Sequence, residues 1–345
     1  MFKKIIFFIV SSLNFFFSNY TKKVFLYLAH VINQSGCGKD FVTVHFRPKY
    51  SEDVHKRESF LEEVKLPAFA IMIQGPIVLK NNFTFETIQL YRKLFGESVI
   101  IVFSSWHGEL SDEKILDLES YCSVVLSEKP TNSGLHNVNY QIVSSRCGML
   151  KAKELGAEFL IKTRSDQRFY NPATLKILHN LYMTAPNKII ELSMSSCKYR
   201  PWSLCDMFQF SKADILLDMW NIELDERKKY KINFHDESYR VRDIVSAKIA
   251  EIYVHFNHAN KYGYYDVLSV DDYYSYIREK IIIIDKEVID IFWYKYTAKE
   301  YCLVGSDFYS SEDVLSMISW GDYLLILDGC PSKKTYEYLD EYEKI

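Results

Sequence analysis

The stretch EFLIKTRSDQRFY, residues 158–170, joins an apolar run to a dense group of charged and polar side chains. Phe159, Leu160 and Ile161 are typical of a buried β-strand. The following residues, Lys162 to Arg168, bring three cations, a carboxylate, two hydroxyls and an amide together. A strand that only had to end would be followed by Gly or Asn, which favour turns. The segment therefore predicts a buried strand whose carboxyl end carries a binding site.

The same kind of apolar run recurs along the chain and alternates with helical patterns. The strand pattern occurs at 68–75, 98–106, 122–127, 158–163, 188–196, 206–210 and 281–285, and the helical pattern at 84–96, 111–120, 138–155, 212–220 and 236–253. Strands that alternate with helices and are apolar on both faces indicate an α/β fold with a mostly parallel, Rossmann-like sheet flanked by helices. In such sheets ligands bind beyond the carboxyl ends of the strands. Residues 74–77, 104–108 and 164–168 are therefore expected on one rim.

Composition narrows the classes of function. The 345 residues are 48% hydrophobic, which can fill a sizeable core, and the formal net charge of −3 lacks the basic field that holds nucleic acid. The seven cysteines include no CxxC pair, which indicates a reducing compartment. No P-loop, GxGxxG or GxSxG sequence occurs, so the NTPase, dinucleotide-binding and hydrolase interpretations lose their main motif.

The helix expected at 138–155 begins with a polar stripe. Helical spacing places Asn137, Gln141, Ser144 and Gly148 on one side, beside an apolar stripe that can pack on the sheet. The polar stripe either faces a ligand or is a solvated or helix-packing face. A merely solvated face would more usually carry Lys and Glu, which favours the ligand.

Asp166 follows its strand directly and is the acid of the opening segment. One carboxylate among hydroxyl and amide oxygens can hold a hard divalent cation that takes its other ligands from water and phosphates. Lys162, Arg164 and Arg168 can offset the charge of a diphosphate and give bidentate contacts. A salt-bridged surface turn is the structural alternative.

Several segments, in order, resemble the WavE family of lipopolysaccharide-synthesis proteins. They are IMIQGPI (71–77), ETIQLY (86–91), VIIVFSSW (99–106), GLHNVNYQIVSSRCGMLKAKELGAEFLIKTRSDQR (134–168) and DMFQFSKADILLDMW (206–220). The resemblance covers about residues 68–260, and KTRSDQR (162–168) is its most specific piece. It implies a bacterial glycosyltransferase of the hexosyltransferase type, which builds surface polysaccharide on a GT-A-like fold.

The resemblance also implies where the nucleotide-sugar donor binds. GT-A enzymes carry a DxD motif after the fourth strand, whose acids bind a metal that bridges the donor diphosphate, whereas RSDQ (164–167) has a single acid. A Mg²⁺ or Mn²⁺ site at Asp166 is therefore one alternative, and charge compensation by the arginines is the other. The implied donor-binding residues are Gln74, Gly75, Asn137, Asn139, Gln141, Arg164, Ser165, Gln167 and Arg168.

Sugar transfer by inversion also needs a base for the acceptor hydroxyl. GT-A enzymes commonly supply an Asp or Glu from the second half of the domain, and the resemblance leaves Asp206 and Glu237 as level candidates. Glu237 follows Asp236 at an expected helix start, where acids ordinarily serve capping and the helix dipole. The aromatic residues between 199 and 210 are expected to line the acceptor groove.

The chain divides into three predicted parts: a membrane-proximal, aromatic arm (1–66), the GT-A-like domain (67–260) and an α/β extension packing on its core (261–345). The apolar segment of the arm is shorter than the roughly 20 residues of a spanning helix, and its basic flanks suit a helix at a membrane surface. An irregular packing arm is the alternative for this segment.

These inferences combine into one predicted function. The chain is expected to act in the cytoplasm, peripherally associated with the inner face of the cytoplasmic membrane. There it would transfer a sugar from a nucleotide-sugar donor to a lipid-linked lipopolysaccharide or capsule oligosaccharide. The rival hypothesis is a non-catalytic nucleotide-sugar- or glycan-binding subunit of a polysaccharide assembly complex.

Overall fold

The structure, a computed structural model, divides the chain into two compact units, Met1–Asp53 and Val54–Ile345. It describes residues 18–34, 44–54, 67–230, 239–294, 317–329, 333–340 and 342–343. The first unit contains helix α1 (Ser18–Gln34) and a short 3-10 turn (Ser51–Asp53). Over the described ranges, no helix has both the length and the apolar character needed to cross a membrane. The predicted boundaries at 66 and 260 stay predictions.

The second unit is built on strands and helices that follow the alternation expected from the sequence. Its strands are β1 Phe69–Gln74, β2 Ile100–Trp106, β3 Ser123–Ser127, β4 Phe159–Arg164, β5 Gln167–Phe169, β6 Ile189–Leu192, β7 Gln209–Lys212, β8 Tyr239–Arg240, β9 Ile281–Ile284, β10 Ile291–Trp293 and β11 Tyr342–Glu343. Its helices are α2 Phe83–Phe95, α3 Asp112–Glu119, α4 Val138–Glu154, α5 Thr174–Thr184, α6 Ala213–Trp220, α7 Val241–Ala247, α8 Ala250–Asn260, α9 Val270–Lys280, α10 Trp320–Leu327 and α11 Lys334–Tyr338.

Seven of the strands form the central sheet, in the order β3-β2-β1-β4-β7-β6-β9. Only β7 runs antiparallel to its neighbours in this sheet. The prediction of a mostly parallel sheet flanked by helices is thus confirmed. Because β2 and β3 extend from one side of β1 and β4 lies on the other, the strand order reverses between β1 and β4. Crevices at such reversals, outside the carboxyl ends, are where ligands bind.

Helix α4 packs on one face of the sheet, against β1 and β2. Its apolar stripe, Val138, Ile142 and Met149, is fully buried, as the spacing predicted. Gly148 lies against the sheet as well, since a β-carbon there would come within 2.8 Å of Met72 Cγ and 2.9 Å of Ser104 Cβ. This glycine of the polar stripe therefore serves close helix–sheet packing, which was the alternative to the ligand-facing interpretation.

Two elements of the second half differ from the sequence prediction. The single helix expected at 236–253 is two helices, α7 and α8, because Lys248 is left-handed at φ 51° and Ile249 is extended between them. Residues 236–238 lie outside the described part of the chain. The strand expected at 206–210 begins only at Gln209, and residues 203–206 form an irregular approach to it.

Candidate active site

The turns that leave β1 and β4 are tied together at the carboxyl rim. Gln74 ends β1 in register with Arg164 of β4, and the Ser165 amide donates a hydrogen bond to the Gln74 carbonyl at 2.9 Å. Ser165 Oγ donates to the Pro76 carbonyl at 2.6 Å. A β-carbon at Gly75, whose φ is 116°, would come within 3.0 Å of Ser165 Oγ. The predicted residues Gln74, Gly75 and Ser165 therefore come together at the strand-order reversal.

Arg164 and Asp166 form a bidentate ion pair on this rim. Arg164 Nε donates to Asp166 Oδ1 at 2.9 Å, and Nη2 donates to Oδ2 at 3.0 Å. Trp293 of β10 donates its indole N–H to the same Oδ2 at 3.0 Å. Burial alone would raise the pKa of Asp166, but the charge of Arg164 and these hydrogen bonds outweigh it and hold the pKa below its usual value. Asp166 is thus an ionised carboxylate with most of its acceptor positions taken.

Asp206 is nearly buried, at 6% exposure, and its carboxylate accepts no hydrogen bond from the described residues. Burial raises its pKa above the usual value; the positive charges of Lys162, Arg164 and His255 oppose that rise, and the negative charge of Glu251 adds to it. Lys162 Nζ donates to the backbone carbonyl of Asp206, and burial lowers the pKa of this lysine to about 8. Buried carboxylates are ordinarily hydrogen-bonded, so one without a partner among the described residues, close to Lys162 and Arg164 of β4, indicates a place for a ligand or a proton.

An ion pair that the sequence patterns did not single out lies near Asp206. Arg200 Nη2 contacts Glu251 Oε1 at 3.2 Å, and Ser203 Oγ donates to the same oxygen at 3.3 Å. His136 is partly withdrawn from water, which lowers its pKa, and the charges of Glu251 and Arg200 act on it as well. Glu251 lies in the first turn of α8, where the sequence alone would assign it to helix capping. Arg200 lies in an irregular loop. Only the tertiary structure brings these residues together.

A buried hydrogen-bond network is joined to the backbone of Glu251. His255 Nδ1 donates to the Glu251 carbonyl at 2.7 Å, and its Nε2 lies 2.9 Å from Glu191 Oε1. Gln209 Nε2 also donates to Glu191 Oε1, at 2.6 Å. Burial would lower the pKa of His255, but the charge and hydrogen bond of Glu191 raise it above its usual value. The raised pKa favours the protonated ring beside Glu191, and the hydrogen bond from Nδ1 to the Glu251 carbonyl ties the ring to the start of α8.

Two of the predicted donor-binding residues hold other segments of the protein, the segment at Asp225 and helix α2. Asn139, at 1% exposure, accepts the Asp225 amide at Oδ1 and donates to the Asp225 carbonyl, at 2.6 and 2.9 Å. Arg168, also at 1% exposure, donates to Thr87 Oγ1 and to the Phe83 carbonyl, each at 2.9 Å. Both side chains make their contacts inside the protein, so the structure does not bring them to the rim.

The remaining donor candidates differ in exposure. Asn137 is exposed at the start of α4, with a left-handed φ of 63°. Gln74, Gln141 and Gln167 each keep a buried side-chain oxygen without a hydrogen-bond partner among the described residues. Buried polar atoms are ordinarily hydrogen-bonded, so these three oxygens indicate a partner, such as a ligand or a water, that the described residues do not supply. Glu237, the second candidate base, lies outside the described residues.

The aromatic residues expected to line an acceptor groove belong to the core. Trp202, Phe208 and Phe210 are fully buried, and Trp202 packs against Phe256 and Tyr273. The prediction of an aromatic acceptor surface between 199 and 210 is wrong for these residues, because strand β7 and the loop before it lie under neighbouring helices rather than at the surface.

The side chains at Asp166 do not fit a divalent-cation centre. Within the described part of the chain, no three side chains of His, Cys, Asp or Glu come together as a metal-binding group. The Asp166 oxygens accept from Arg164 and Trp293, and the neighbouring Ser165 hydroxyl donates to Pro76. A cation here would have one remaining acceptor position on Asp166 and would lie beside the positive guanidinium of Arg164, so the residues present fit it poorly.

Comparison with known proteins gives one family match. A family model described as WavE lipopolysaccharide synthesis matches residues 69–257, which include β1, β4 and the rim between them. No curated protein matches the chain significantly.

Solved structures match the chain only distantly. The structure of S. aureus TarS 1–349 matches with a TM-score of 0.33 and 13% identity over 55% of this chain, and the match spans about half of that structure, 56%. A glycosyltransferase involved in the glycosylation of the major capsid of PBCV-1 matches with a TM-score of 0.31 and 12% identity, over 64% of this chain and 83% of that one. The mannosyltransferase PcManGT from Pyrobaculum calidifontis, in complex with GDP-Man and Mn²⁺, matches with a TM-score of 0.29 and 10% identity, over 62% and 60%. At these scores the matches carry no argument about activity.

Proposed function

This chain belongs to the WavE lipopolysaccharide-synthesis family, and from that premise we propose that it is a glycosyltransferase of the hexosyltransferase type. Its donor is a nucleotide-sugar, and its acceptor is a hydroxyl of a lipid-linked lipopolysaccharide or capsule oligosaccharide. The donor binds at the reversal between β1 and β4, beside Gln74 and Arg164. The side-chain oxygens of Gln74, Gln141 and Gln167 have no hydrogen-bond partner in the described part of the chain and would accept from it. The crevice outside this reversal is the site that a doubly wound sheet offers to a ligand.

The observation that carries the proposal is the buried carboxylate of Asp206, which accepts no hydrogen bond from the residues that the structure describes. A general base works best when its pKa is close to the working pH, and burial moves the pKa of Asp206 in that direction. In the transfer step, the acceptor oxygen forms a bond to the anomeric carbon as the bond from that carbon to the donor phosphate breaks. The electron pair leaves with the phosphate oxygen, and Asp206 takes the proton of the acceptor hydroxyl.

The test is a panel of nucleotide-sugars, with thermal shift read for binding and release of free nucleotide read for turnover. Asp206→Asn should lower the release rate by about 100-fold or more. Its melting temperature should match or exceed that of the wild type, because an ionised carboxylate with a raised pKa destabilises the fold at neutral pH. Asp214→Asn is the matched control, since Asp214 is an exposed acid at the start of α6.

Two results would decide between the catalytic hypothesis and its rival. A wild-type rate in folded Asp206→Asn would remove Asp206 as the base. A wild-type protein that is stabilised by a nucleotide-sugar but releases no nucleotide would instead support the non-catalytic binding subunit.

The proposal includes peripheral association with the inner face of the cytoplasmic membrane. Helix α1 carries no acidic residue, and its exposed apolar side chains are Val24, Phe25, Leu26, Tyr27, Leu28, Val31 and Ile32. An apolar helix with lysines and no acids suits an anionic lipid surface. A lipid-linked acceptor would be reached at that surface.

A further inference from the structure

We infer that Arg164 itself binds the leaving diphosphate, in place of a divalent cation, and that Asp166 is the residue that positions it. The inference rests on the proposed function, since it assigns the donor phosphate to one side chain of the same site. It goes beyond that function because it specifies how the charge of the leaving group is stabilised.

The first step concerns the capacity of Asp166. A carboxylate offers about four acceptor positions, and three of those on Asp166 are used by Arg164 Nε, Arg164 Nη2 and Trp293 Nε1. The acid is also mostly withdrawn from water, with 17% of its side chain exposed. One acceptor position, on Oδ1, is left for a cation, which would then lie beside the positive guanidinium of Arg164. Neither Ser165 nor Gln167 supplies a second carboxylate to offset that repulsion.

The second step concerns the free end of the guanidinium. Arg164 points Nε and one Nη2 hydrogen at Asp166, whereas no hydrogen bond joins Nη1 to any residue in the described ranges. The side chain is 29% exposed and lies at the carboxyl end of β4, beside Gln74 of β1. A guanidinium is always charged and its remaining N–H groups match the geometry of phosphate oxygens.

The third step concerns the role of the Arg164–Asp166 ion pair in binding the diphosphate. Asp166 and Trp293 hold the plane of the guanidinium, so Nη1 is presented to a ligand without first being ordered. When the bond between the anomeric carbon and the phosphate oxygen breaks, the electron pair stays on that oxygen. The Arg164 N–H groups donate to the diphosphate as its charge grows.

The experiment is calorimetric titration of the full-length protein with UDP, GDP, ADP, CDP and dTDP, each in EDTA and each with Mn²⁺. For the nucleotide that binds, we expect the same affinity in both buffers. Arg164→Met should weaken binding by about tenfold or more in either buffer. Arg164→Lys should restore only part of the affinity, because a point charge lacks the fork of donors. Asp166→Asn should weaken binding equally with and without Mn²⁺.

The matched control is Arg146→Met, a half-buried arginine on α4 about 12 Å along the helix from its start at the rim. It should bind as the wild type does, and circular dichroism checks the fold of every variant. The inference is overturned if the wild type binds the nucleotide with Mn²⁺ but not in EDTA, and if Asp166→Asn removes this dependence on Mn²⁺. That result leaves the glycosyltransferase proposal intact. Binding of no nucleotide in either buffer overturns both.

Discussion

At the residue scale, the two acids of the rim have opposite surroundings. Asp166 is paired with Arg164 and Trp293, so it stays ionised and acts on its neighbours by position and charge. Asp206 has no hydrogen-bond partner for its carboxylate among the described residues, and burial raises its pKa. Two carboxylates with pKa values shifted apart can divide the work of a site between them, one fixed in its charge and one able to take a proton.

A substitution at Glu251 tests whether Asp206 is the acid that takes the proton. The negative charge of Glu251 raises the pKa of Asp206, so Glu251→Gln should lower that pKa and let Asp206 ionise at lower pH. The acidic limb of the rate of nucleotide release should therefore move to lower pH in this variant, as measured by a pH–rate profile over the acidic range. Arg242→Gln, which removes an exposed surface charge, is the control. A limb that stays in place would show that Asp206 is not the group that titrates.

At the element scale, helix α4 is held against the sheet by a residue without a side chain. Gly148 lies where a β-carbon would meet Met72 and Ser104 at 2.8 to 2.9 Å. The rim depends on this contact, because the same helix follows the 3-10 turn that holds His136 and Asn137, and it carries Gln141. Close packing at Gly148 therefore sets how near those side chains come to the carboxyl ends of β1 and β2.

Gly148→Val should overpack this contact and reduce the free energy of unfolding by about 1–3 kcal/mol. Leu150→Ala, two positions along the same helix at an exposed site, should change it by less than about 0.5 kcal/mol. Urea denaturation of the two variants against wild type measures the difference. Equal stability of Gly148→Val and wild type would mean that the helix stands further from the sheet than the structure shows.

The pair between strand β6 and helix α8 makes stability depend on pH. The folded protein raises the pKa of His255 above its ordinary value of 6.5 through the charge and hydrogen bond of Glu191. The resulting stabilisation is fully present below the unfolded pKa and is lost as the pH rises through the folded one. His255→Gln should therefore lose most stability on the acidic side and give a flatter profile, measured as melting temperature against pH. A parallel profile for the variant would show that the ring is not charged in the folded protein.

At the scale of the whole molecule, the two compact units divide the proposed function. The unit Val54–Ile345 holds the sheet and the rim, and the unit Met1–Asp53 carries the exposed apolar side chains of α1. The chemistry and the proposed attachment to a membrane are thus assigned to different units, which allows them to be tested independently.

Phe25→Glu with Leu28→Glu adds two negative charges to the exposed apolar part of α1. Because anionic lipid repels added carboxylates and less apolar area remains for burial, the protein should float less with vesicles that contain phosphatidylserine. Release of nucleotide from a soluble donor should be unchanged. Flotation equal to that of wild type would argue against α1 as the membrane contact.

The sequence predicted β1 to β4 with bounds close to those observed, because each of these strands is an apolar run of its own, separated by a helix with its own period. It also placed Gln74, Arg164 and Asp166 on one rim, since the carboxyl ends of parallel strands share an edge. It failed for α7 and α8, where the break at Lys248 has no Gly or Pro to mark it. It also failed for Trp202, whose aromatic ring suits a sugar surface as well as a core.

What the sequence determined by itself was therefore the local pattern: the alternation of strands and helices, the polar group after β4, and the WavE family match over residues 69–257. Only the tertiary structure decided that Asp166 is already paired and that Asp206 is buried with no hydrogen-bond partner for its carboxylate in the described ranges. It also decided that Arg200, Glu251 and His136 come near each other. The physical reason is distance along the chain. Burial and charge at a site are set by residues tens to hundreds of positions apart, and no local spacing records which of them will meet.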